Sequence, residues 1–375
     1  MNKDDKNSLP FFLRDGFAAF LSSVICIICG MLVGYIIMFC INPGGAGKAI
    51  LAMFKNFLYY KKPEKVLYYF GSTLVKSVPL IMCSLSVLFS KKAGLFNIGV
   101  AGQYTIGAGV AIFFALRFNL PWYICALVAM AAAALWGMLT GVAKAYRNAN
   151  EVITGIMLNW IALYLVNMFL LPVKDPLAQH TLYIEDNAAN ALLPNMGLDR
   201  IFGGNHFVGI GLFIAPIVAV IIWSILKKTK LGYELKATGY NKDAAFYSGM
   251  HERGNIILTT VISGALAGLG AALLYLSDID QWSTSMASVP SMGFDGIAAA
   301  FLGGLHPIGA IFSSYFVKHI TLGGMYIDKN IYNTRTADMM VSFIIYFCAF
   351  AQLFRHIAAN AYLKRKAKKD KEKED

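Results

Sequence analysis

Few residues in this sequence join a reactive group to a spacing that chemistry can use. Gly44-Gly45-Ala46-Gly47-Lys48 comes nearest to a phosphate-cradling loop. Such a loop needs G-x-x-x-x-G-K followed by a hydroxyl, so that backbone N–H groups wrap the phosphates and the hydroxyl reaches a magnesium ion. Asn42 stands where the first glycine belongs and Ala49 where the hydroxyl belongs; the segment reads as a flexible turn. His180, His206, His251, His306, His319 and His356 show no metal-ligand spacing, and neither H-E-x-x-H nor G-x-S-x-G occurs. Cys26 and Cys29 lie one turn apart in an apolar run, which favours packing over redox or metal chemistry. Acidic residues inside the apolar runs are scarce: Glu151 sits at the edge of one and Asp295 at the start of another, and neither reads as a buried proton relay, which weakens an ion-coupled reading. Lys318 lies inside a further run, where it is a functional candidate, or pairs with a carboxylate or snorkels to the surface.

The setting is a membrane. The chain has 375 residues, 57% hydrophobic and only 14% charged, with mean hydropathy +0.57. A soluble domain is about 45–50% apolar and about 25% charged. The expected fold is an all-α polytopic membrane protein of about ten transmembrane segments. Charges bound the apolar runs at 16–41, 74–90, 94–116, 120–143, 151–173, 205–226, 255–276, 293–304, 307–325 and 339–354. The first is too long for the apolar core of a cleaved leader and reads as a true span. Residues 48–65 are lysine-rich with interleaved aromatics, as at a membrane interface. The domain reading is a cytoplasmic segment 1–15, a transmembrane domain 16–358 with a cytoplasmic loop at 227–254, and a charged cytoplasmic tail 359–375.

The net charge of +12 fits the positive-inside rule, while no stretch is long enough for a basic nucleic-acid-binding domain. Both termini carry lysine and arginine and are assigned to the cytoplasm, which requires an even number of crossings. Lys91–Lys92, Lys144–Arg147 and the 227–253 loop then fall inside; the 48–65 stretch falls outside, against the rule. At 1.5 Å per residue the 293–304 segment reaches about 18 Å, short of an apolar layer about 30 Å thick. It reads as a half-helix with an irregular connection at 303–307, bordering protein or a wet cavity. Gly94-Leu95-Phe96-Asn97-Ile98 and Gly293-Phe294-Asp295-Gly296-Ile297 match each other five spans apart, as in an inverted repeat with opposed half-helices. Coincidence in a glycine-rich chain is the alternative, and Asn97 and Asp295 are candidate helix caps.

In the basic loop, Asn241-Lys242-Asp243 reads as a helix start and Gly249 as its stop. Two turns are too short to stand alone, so the segment docks on its own chain or on a cytoplasmic partner.

Four stretches carry a resemblance to a known family. They are residues 92–103 (Lys-Ala-Gly-Leu-Phe-Asn-Ile-Gly-Val-Ala-Gly-Gln), Asn150-Glu151-Val152-Ile153 with Ile156-Met157-Leu158-Asn159, residues 232–249 with Ala237, Gly239, Asn241, Ala244 and Ala245, and residues 293–298 with His306-Pro307-Ile308-Gly309. The chain resembles the permease subunits of bacterial ABC importers in the simple-sugar and nucleoside branch, ribose-type and similar to branched-chain amino acid permeases. It is most similar to the larger nucleoside permease. The resemblance implies a type II importer permease in the bacterial cytoplasmic membrane, not itself an enzyme and binding no cofactor. ATP and magnesium sit on a partner ATPase. A second permease subunit, forming a heterodimer, and an extracytoplasmic solute-binding lipoprotein complete the system.

The resemblance further implies that residues 238–250 form a coupling helix on the ATPase, with Thr238, Gly239, Asn241, Ala244, Ala245 and Gly249 as coupling residues. For a nucleoside with an aromatic face and ribose hydroxyls, the pathway candidates are Asn97, Gln103, Asn159, Phe294 and Asp295. Amides both donate and accept, and a phenyl ring stacks on a base; each residue is alternatively a cap or an interhelical contact. The sequence departs from the family at Ala101, where Glu is common, and at Lys318 and His319, where small or apolar residues are usual. A sugar or riboflavin-like solute, or an ion-coupled secondary transporter, remains the alternative; a membrane enzyme would need a polar catalytic set that the sequence lacks.

Overall fold

The computed structural model describes residues 15–333 and 335–350, with side chains from residue 24 onward except those of 337, 345, 348 and 349. The charged tail at 359–375, His356, the Cys348 side chain and all but the last residue of the 1–15 segment therefore lie outside what is described. Among the described residues the fold is helical, with two isolated antiparallel bridges, Lys174–Thr181 and His180–Ser283. Among the described residues, seven helices are long and apolar enough to cross a membrane. They are α1 (Asp15–Ile41), α3 (Pro63–Lys92), α4 (Val100–Phe118), α5 (Trp122–Arg147), α6 (Glu151–Phe169), α7 (Gly211–Lys228) and α10 (Glu252–Tyr275). Three shorter helices match the remaining expected segments: α11 (Met292–Leu302), α12 (Pro307–Gly323) and α13 (Thr336–Ala349). Between them lie α2 (Pro43–Lys55), α8 (Lys230–Tyr240) and α9 (Lys242–Tyr247).

The glycine cluster at 44–48 is no flexible turn. It is the first turn of α2, started by Asn42, whose side chain accepts from the Gly45 N–H at 3.0 Å, and by Pro43 at the first helical position. Proline there has its φ already set and lacks only an N–H that would be unpaired anyway. The third span also starts later than its apolar run suggests. Residues 94–99 are not helical, and α4 begins only at Val100.

The described chain falls into two compact units. One draws on the chain up to Asn56, on Phe301–Gly304 and on residues from Ile320 onward. Within it, α1 packs against α13: a Cβ on Gly30 would lie 2.5 Å from the Ile344 Cα, and one on Gly34 2.6 Å from the Met340 Cγ. Small residues four apart let two apolar helices approach closely where lipid supplies no hydrophobic drive between them. The Tyr332 hydroxyl ties this unit by donating to the Met38 and Asn42 carbonyls at 3.1 and 3.0 Å.

The other unit comprises Phe57–Ala300 and Leu305–His319. Its centre is α3 and α10: 83% and 67% of their apolar windows are buried, against 28% for α6 and α7, which face outward. Glycine spacing again sets the contacts. Gly137 and Gly141 of α5 lie flush on Thr260 of α10, and Gly264 and Gly268 of α10 lie flush on Ala133 and Ala129 of α5.

This unit has two distinct ends. At one, Lys92, Lys144, Arg147, Lys227, Lys228, Lys236 and Arg253 gather around α8 and α9. The Lys144–Glu151 ion pair is at 2.9 Å, and the Arg253 guanidinium lies over the Tyr146 ring at 5.5 Å. At the other end, the loops 170–210 and 276–291 fold together. The buried Trp282 indole donates to Asn167 Oδ1 at 2.9 Å, and Asn167 donates onward to the Met286 carbonyl at 2.8 Å. Asp278 accepts from the Ile184 and Glu185 N–H groups at 3.1 and 3.0 Å. Burial pushes the Asp278 carboxyl above the usual carboxylate range, against the pull of those two amides.

Because the α5–α10 contact is backbone against backbone, Gly264→Val should cost about 1–3 kcal/mol through overpacking. We expect a lower melting temperature for the detergent-solubilised protein by about 5 °C. An unchanged melting temperature would mean that the two helices do not meet as closely as this.

Candidate functional site

The site is built around the break between α3 and α4. Lys91 and Lys92 end α3, and Gly94 turns the chain with φ +81°. The Leu95 N–H returns to the Ser90 carbonyl at 2.9 Å. From there to Ile98 the chain runs outside any helix: the Ile98 N–H donates to the Phe96 carbonyl at 3.2 Å, and a side chain from a distant helix serves the Ile98 carbonyl. Asn159 of α6 is central: its Oδ1 accepts from the Gly102 N–H at 2.7 Å, and its Nδ2 donates to the Ile98 carbonyl at 3.1 Å. One amide thus caps the start of α4 and holds the end of the broken stretch. Its approach is close because Gly99, Gly102 and Gly155 bring the backbones of the two segments together.

Asn97 lies under this cap. Its Nδ2 donates to Gln103 Oε1 at 3.0 Å and to Ser263 Oγ at 2.6 Å. Ser263 joins Ser86 through hydroxyls 2.7 Å apart. Asn97, Gln103, Asn159, Ser86 and Ser263 are all buried. Asn97 therefore sits in an interhelical network and does not cap α4, whose N-terminal position is Gly99. Gln103 Nε2 finds no partner among the described residues. Ser86 and Ser263 escape a sequence reading, because a lone hydroxyl in an apolar run gives little signal.

The second repeat-like stretch meets the first. At the start of α11, a Cβ on Gly293 would overlap the Ala101 backbone, and one on Gly296 would lie 2.6 Å from the Cys83 Cβ. The beginnings of α4 and α11 therefore abut, and this face leaves no room for a longer side chain at 101. Ser291 begins α11: its carbonyl accepts from the Asp295 N–H at 2.8 Å and its hydroxyl donates to Asp295 Oδ2 at 3.1 Å. Asp295 also faces Lys318 of α12, Nζ to Oδ2 3.9 Å. Of the five pathway candidates, Asn97, Gln103 and Asn159 thus cluster in the closed network. Phe294 and Asp295 lie apart from it and reach the surface, the ring 41% exposed.

The connection from α11 to α12 returns to the basic end. Leu305 has a positive φ of 53°, and the His306 carbonyl accepts the Ala310 N–H at 2.8 Å. Burial, with Lys92 and Lys227 close by, holds the His306 imidazole below its usual value.

The basic end carries the second part of the site. Asn241 starts α9 as its sequence implies, its Oδ1 accepting from the Asp243 and Ala244 N–H groups at 3.0 Å each. Gly249, at φ +78°, ends it. Thr238 is buried and accepts from Asn255 of α10 at 2.9 Å. Gly239 lies directly on the Ala93–Gly94 backbone, where a Cβ on either glycine would overlap the other segment. Ala245 is buried. Of the named coupling residues, Thr238, Gly239 and Ala245 therefore hold the loop to the body, and Asn241 and Gly249 shape the ends of α9. Ala244 supplies one of the capped N–H groups. The surface offered to solvent is aromatic: Tyr240 is 91% exposed, Tyr247 87%, and Phe246 is exposed beside them.

Among the described residues no group of three or more His, Cys, Asp or Glu side chains is placed to hold a metal ion. The five described cysteines are free thiols, including Cys26 and Cys29.

Residues 69–349 match the family described as branched-chain amino acid transport system, permease component. The guanosine ABC transporter permease protein NupP of Bacillus subtilis is 34% identical over 297 residues, covering 78% of this chain and 84% of that protein. The nucleoside ABC transporter permease protein NupB of Lactococcus lactis is 33% identical, covering 74% and 78%. The guanosine ABC transporter permease protein NupQ of Bacillus subtilis is 32% identical, covering 65% and 78%. No solved structure matches the chain.

The position of Asn159 yields a test. Asn159→Ala leaves the Gly102 N–H and the Ile98 carbonyl unpaired in a buried setting, at a cost of about 1–3 kcal/mol. The purified variant should unfold several degrees earlier. Lost transport with an unchanged melting temperature would instead place this amide against the solute.

Proposed function

This chain belongs to the family of branched-chain amino acid transport system permease components, and we propose that it is the membrane subunit of an ATP-driven ABC importer for nucleosides. The observation that carries the reading is the contact of Gly239 with Gly94. It seats an exposed aromatic loop directly on the break that leads into α4. A partner pressing on that loop therefore acts on a segment outside any helix, whose end is held by the Asn159 side chain.

In this reading the basic end faces the cytoplasm, as the positive-inside rule requires, and so do both termini, in a bacterial cytoplasmic membrane. A separate ATPase docks on Tyr240, Phe246 and Tyr247 and carries ATP and magnesium; this chain binds no cofactor and has no ATPase site. A second permease completes a heterodimer, and the similarity to both NupP and NupQ supports such pairing. An extracytoplasmic solute-binding lipoprotein docks at the end built from 170–210 and 276–291. Closure of the ATPase dimer moves the loop, the loop moves the 93–99 break, and the path opens to the outside; hydrolysis reverses the motion. Phe294 and Asp295 border the path, while Asn97, Gln103 and Asn159 fix its wall.

Ion coupling has little to work with. Of the acidic side chains within the spans, Glu151 is paired with Lys144 and Asp295 with Lys318.

Two measurements test the proposal. Membrane vesicles carrying the complete importer should take up labelled purine nucleosides only with ATP at the cytoplasmic face, and uptake should vanish without the solute-binding protein. Uptake that ignores ATP and follows an imposed proton or sodium gradient would overturn the reading. Tyr240→Ala combined with Tyr247→Ala should weaken capture of the ATPase at least ~10-fold, as expected for exposed aromatic anchors, while leaving the melting temperature unchanged. Full capture would remove this surface from the interface.

A further inference from the structure

α7 ends in charges that its neighbours leave unanswered. The helix has 18 residues, about 27 Å of rise, close to the thickness of an apolar layer of about 30 Å. Ala215, Ala219, Ile222 and Leu226 are buried against the body. Phe213, Ile217, Val220 and Ile221 are exposed on the other side. Two rows of spacing seven carry that exposed face to the basic end: Phe213, Val220 and Lys227, then Ile221 and Lys228.

Both lysines turn to one ring. Their ammoniums lie 5.3 and 5.2 Å from the centre of the Trp223 indole. Cation–π attraction gathers the two cations in one place and leaves them repelling each other. No carboxylate offsets them, for Glu151, Glu234 and Glu252 at this end are taken by Lys144, Lys230 and Arg253. Among the described residues neither lysine has an ion-pair partner and the Trp223 N–H has no acceptor. Burial first, and then Lys92 and Lys227, hold the His306 imidazole down, so Lys92 adds to the positive field here.

The positive-inside rule accounts for lysines at this end. It does not account for two of them gathered on one indole without a carboxylate. Two ammoniums and an indole N–H are donors only. Their complement is an anion with several acceptor oxygens, and a phosphodiester meets that description. The exposed apolar rows run from this point along the span, and acyl chains are what such rows face at membrane depth. An acidic protein surface would answer the charges alone and leave the rows uncovered.

We propose that Trp223, Lys227 and Lys228 bind the headgroup phosphate of an anionic phospholipid, whose chains lie on the exposed face of α7. The site is separate from the residues assigned above to the solute and to the ATPase.

The test measures lipid binding to the full chain in detergent by native mass spectrometry, with dioleoylphosphatidylglycerol and dioleoylphosphatidylcholine as probes. A lysine near an anionic headgroup is worth about fivefold in affinity. Wild type should therefore prefer phosphatidylglycerol by ~10-fold or more. Lys227→Gln with Lys228→Gln should bring the two lipids within about twofold of each other. Trp223→Leu keeps the net charge but lets the ammoniums disperse, and should weaken phosphatidylglycerol ~3-fold. Lys230→Gln with Lys242→Gln removes the same charge from the same end and should leave the preference intact. sn-Glycerol 3-phosphate, a headgroup without chains, should not displace the lipid at equal concentration.

A wild type that binds both lipids alike would overturn the inference. So would an unmoved preference in Lys227→Gln with Lys228→Gln, or an equal loss in the Lys230→Gln with Lys242→Gln control, which would mean attraction to the general charge of this end. Unchanged affinity in Trp223→Leu would overturn the three-residue site. Equal binding of glycerol 3-phosphate would overturn the lipid and leave a site for a free phosphate ester. Indifference to lipid, with weaker ATPase capture by Lys227→Gln with Lys228→Gln, would give these lysines to the ATPase instead.

Discussion

The structure depends on how the backbone between α3 and α4 keeps its hydrogen bonds. Inside an apolar layer an unpaired N–H or C=O costs several kcal/mol, and water is not there to relieve it. A break from 94 to 99 is tolerated only because other helices come close enough to serve it. Asn159 takes both the Ile98 carbonyl and the Gly102 N–H, and Asn97 reaches Gln103 and Ser263. These bonds fix α6 and α10 against the start of α4. They also explain the glycines: an asparagine side chain is short, and it bridges two backbones only if those backbones nearly touch.

The sequence makes the helices legible and the joints less so. Each span is an apolar run closed by charge, and a run of 18 or more apolar residues has few other solutions. The errors fall where polar detail outweighs hydropathy. The run beginning at 94 looks continuous, yet α4 starts at Val100, because the partners that stabilise the break include Asn159 and Ser263, far away in sequence. Gly44 to Lys48 reads as a turn by composition, although Asn42-Pro43 ahead of it is a helix-start signature. In the basic loop, the Asn241 cap and the Gly249 stop are local and were readable. The direction of Ala245 was not, since six residues hold too little periodicity to name a buried face. Lys318 shows itself in the sequence as an anomaly. That its partner is Asp295, 23 residues earlier, follows only from α11 and α12 lying side by side.

The same close contacts decide how a push at the basic end travels. Gly239 rests on Gly94, Gly94 leads into the break, the break opens α4, and Ala101 in the first turn of α4 rests on Gly293 of α11. At both interhelical points the contact is against backbone, with no long side chain between to absorb a shift. Packed interiors are nearly incompressible, so displacements pass through them as movements of whole segments. In the proposed mechanism a movement of the loop at 229–251 is passed by these contacts to the start of α11, where Phe294 and Asp295 lie. The buried amide network offers the opposite quality: its bonds are directional and few, so a segment leaving one set of partners must find another complete set. Rigid contacts joined to a network with discrete pairings give a small number of arrangements and not a continuum, which is what the proposed alternating access requires.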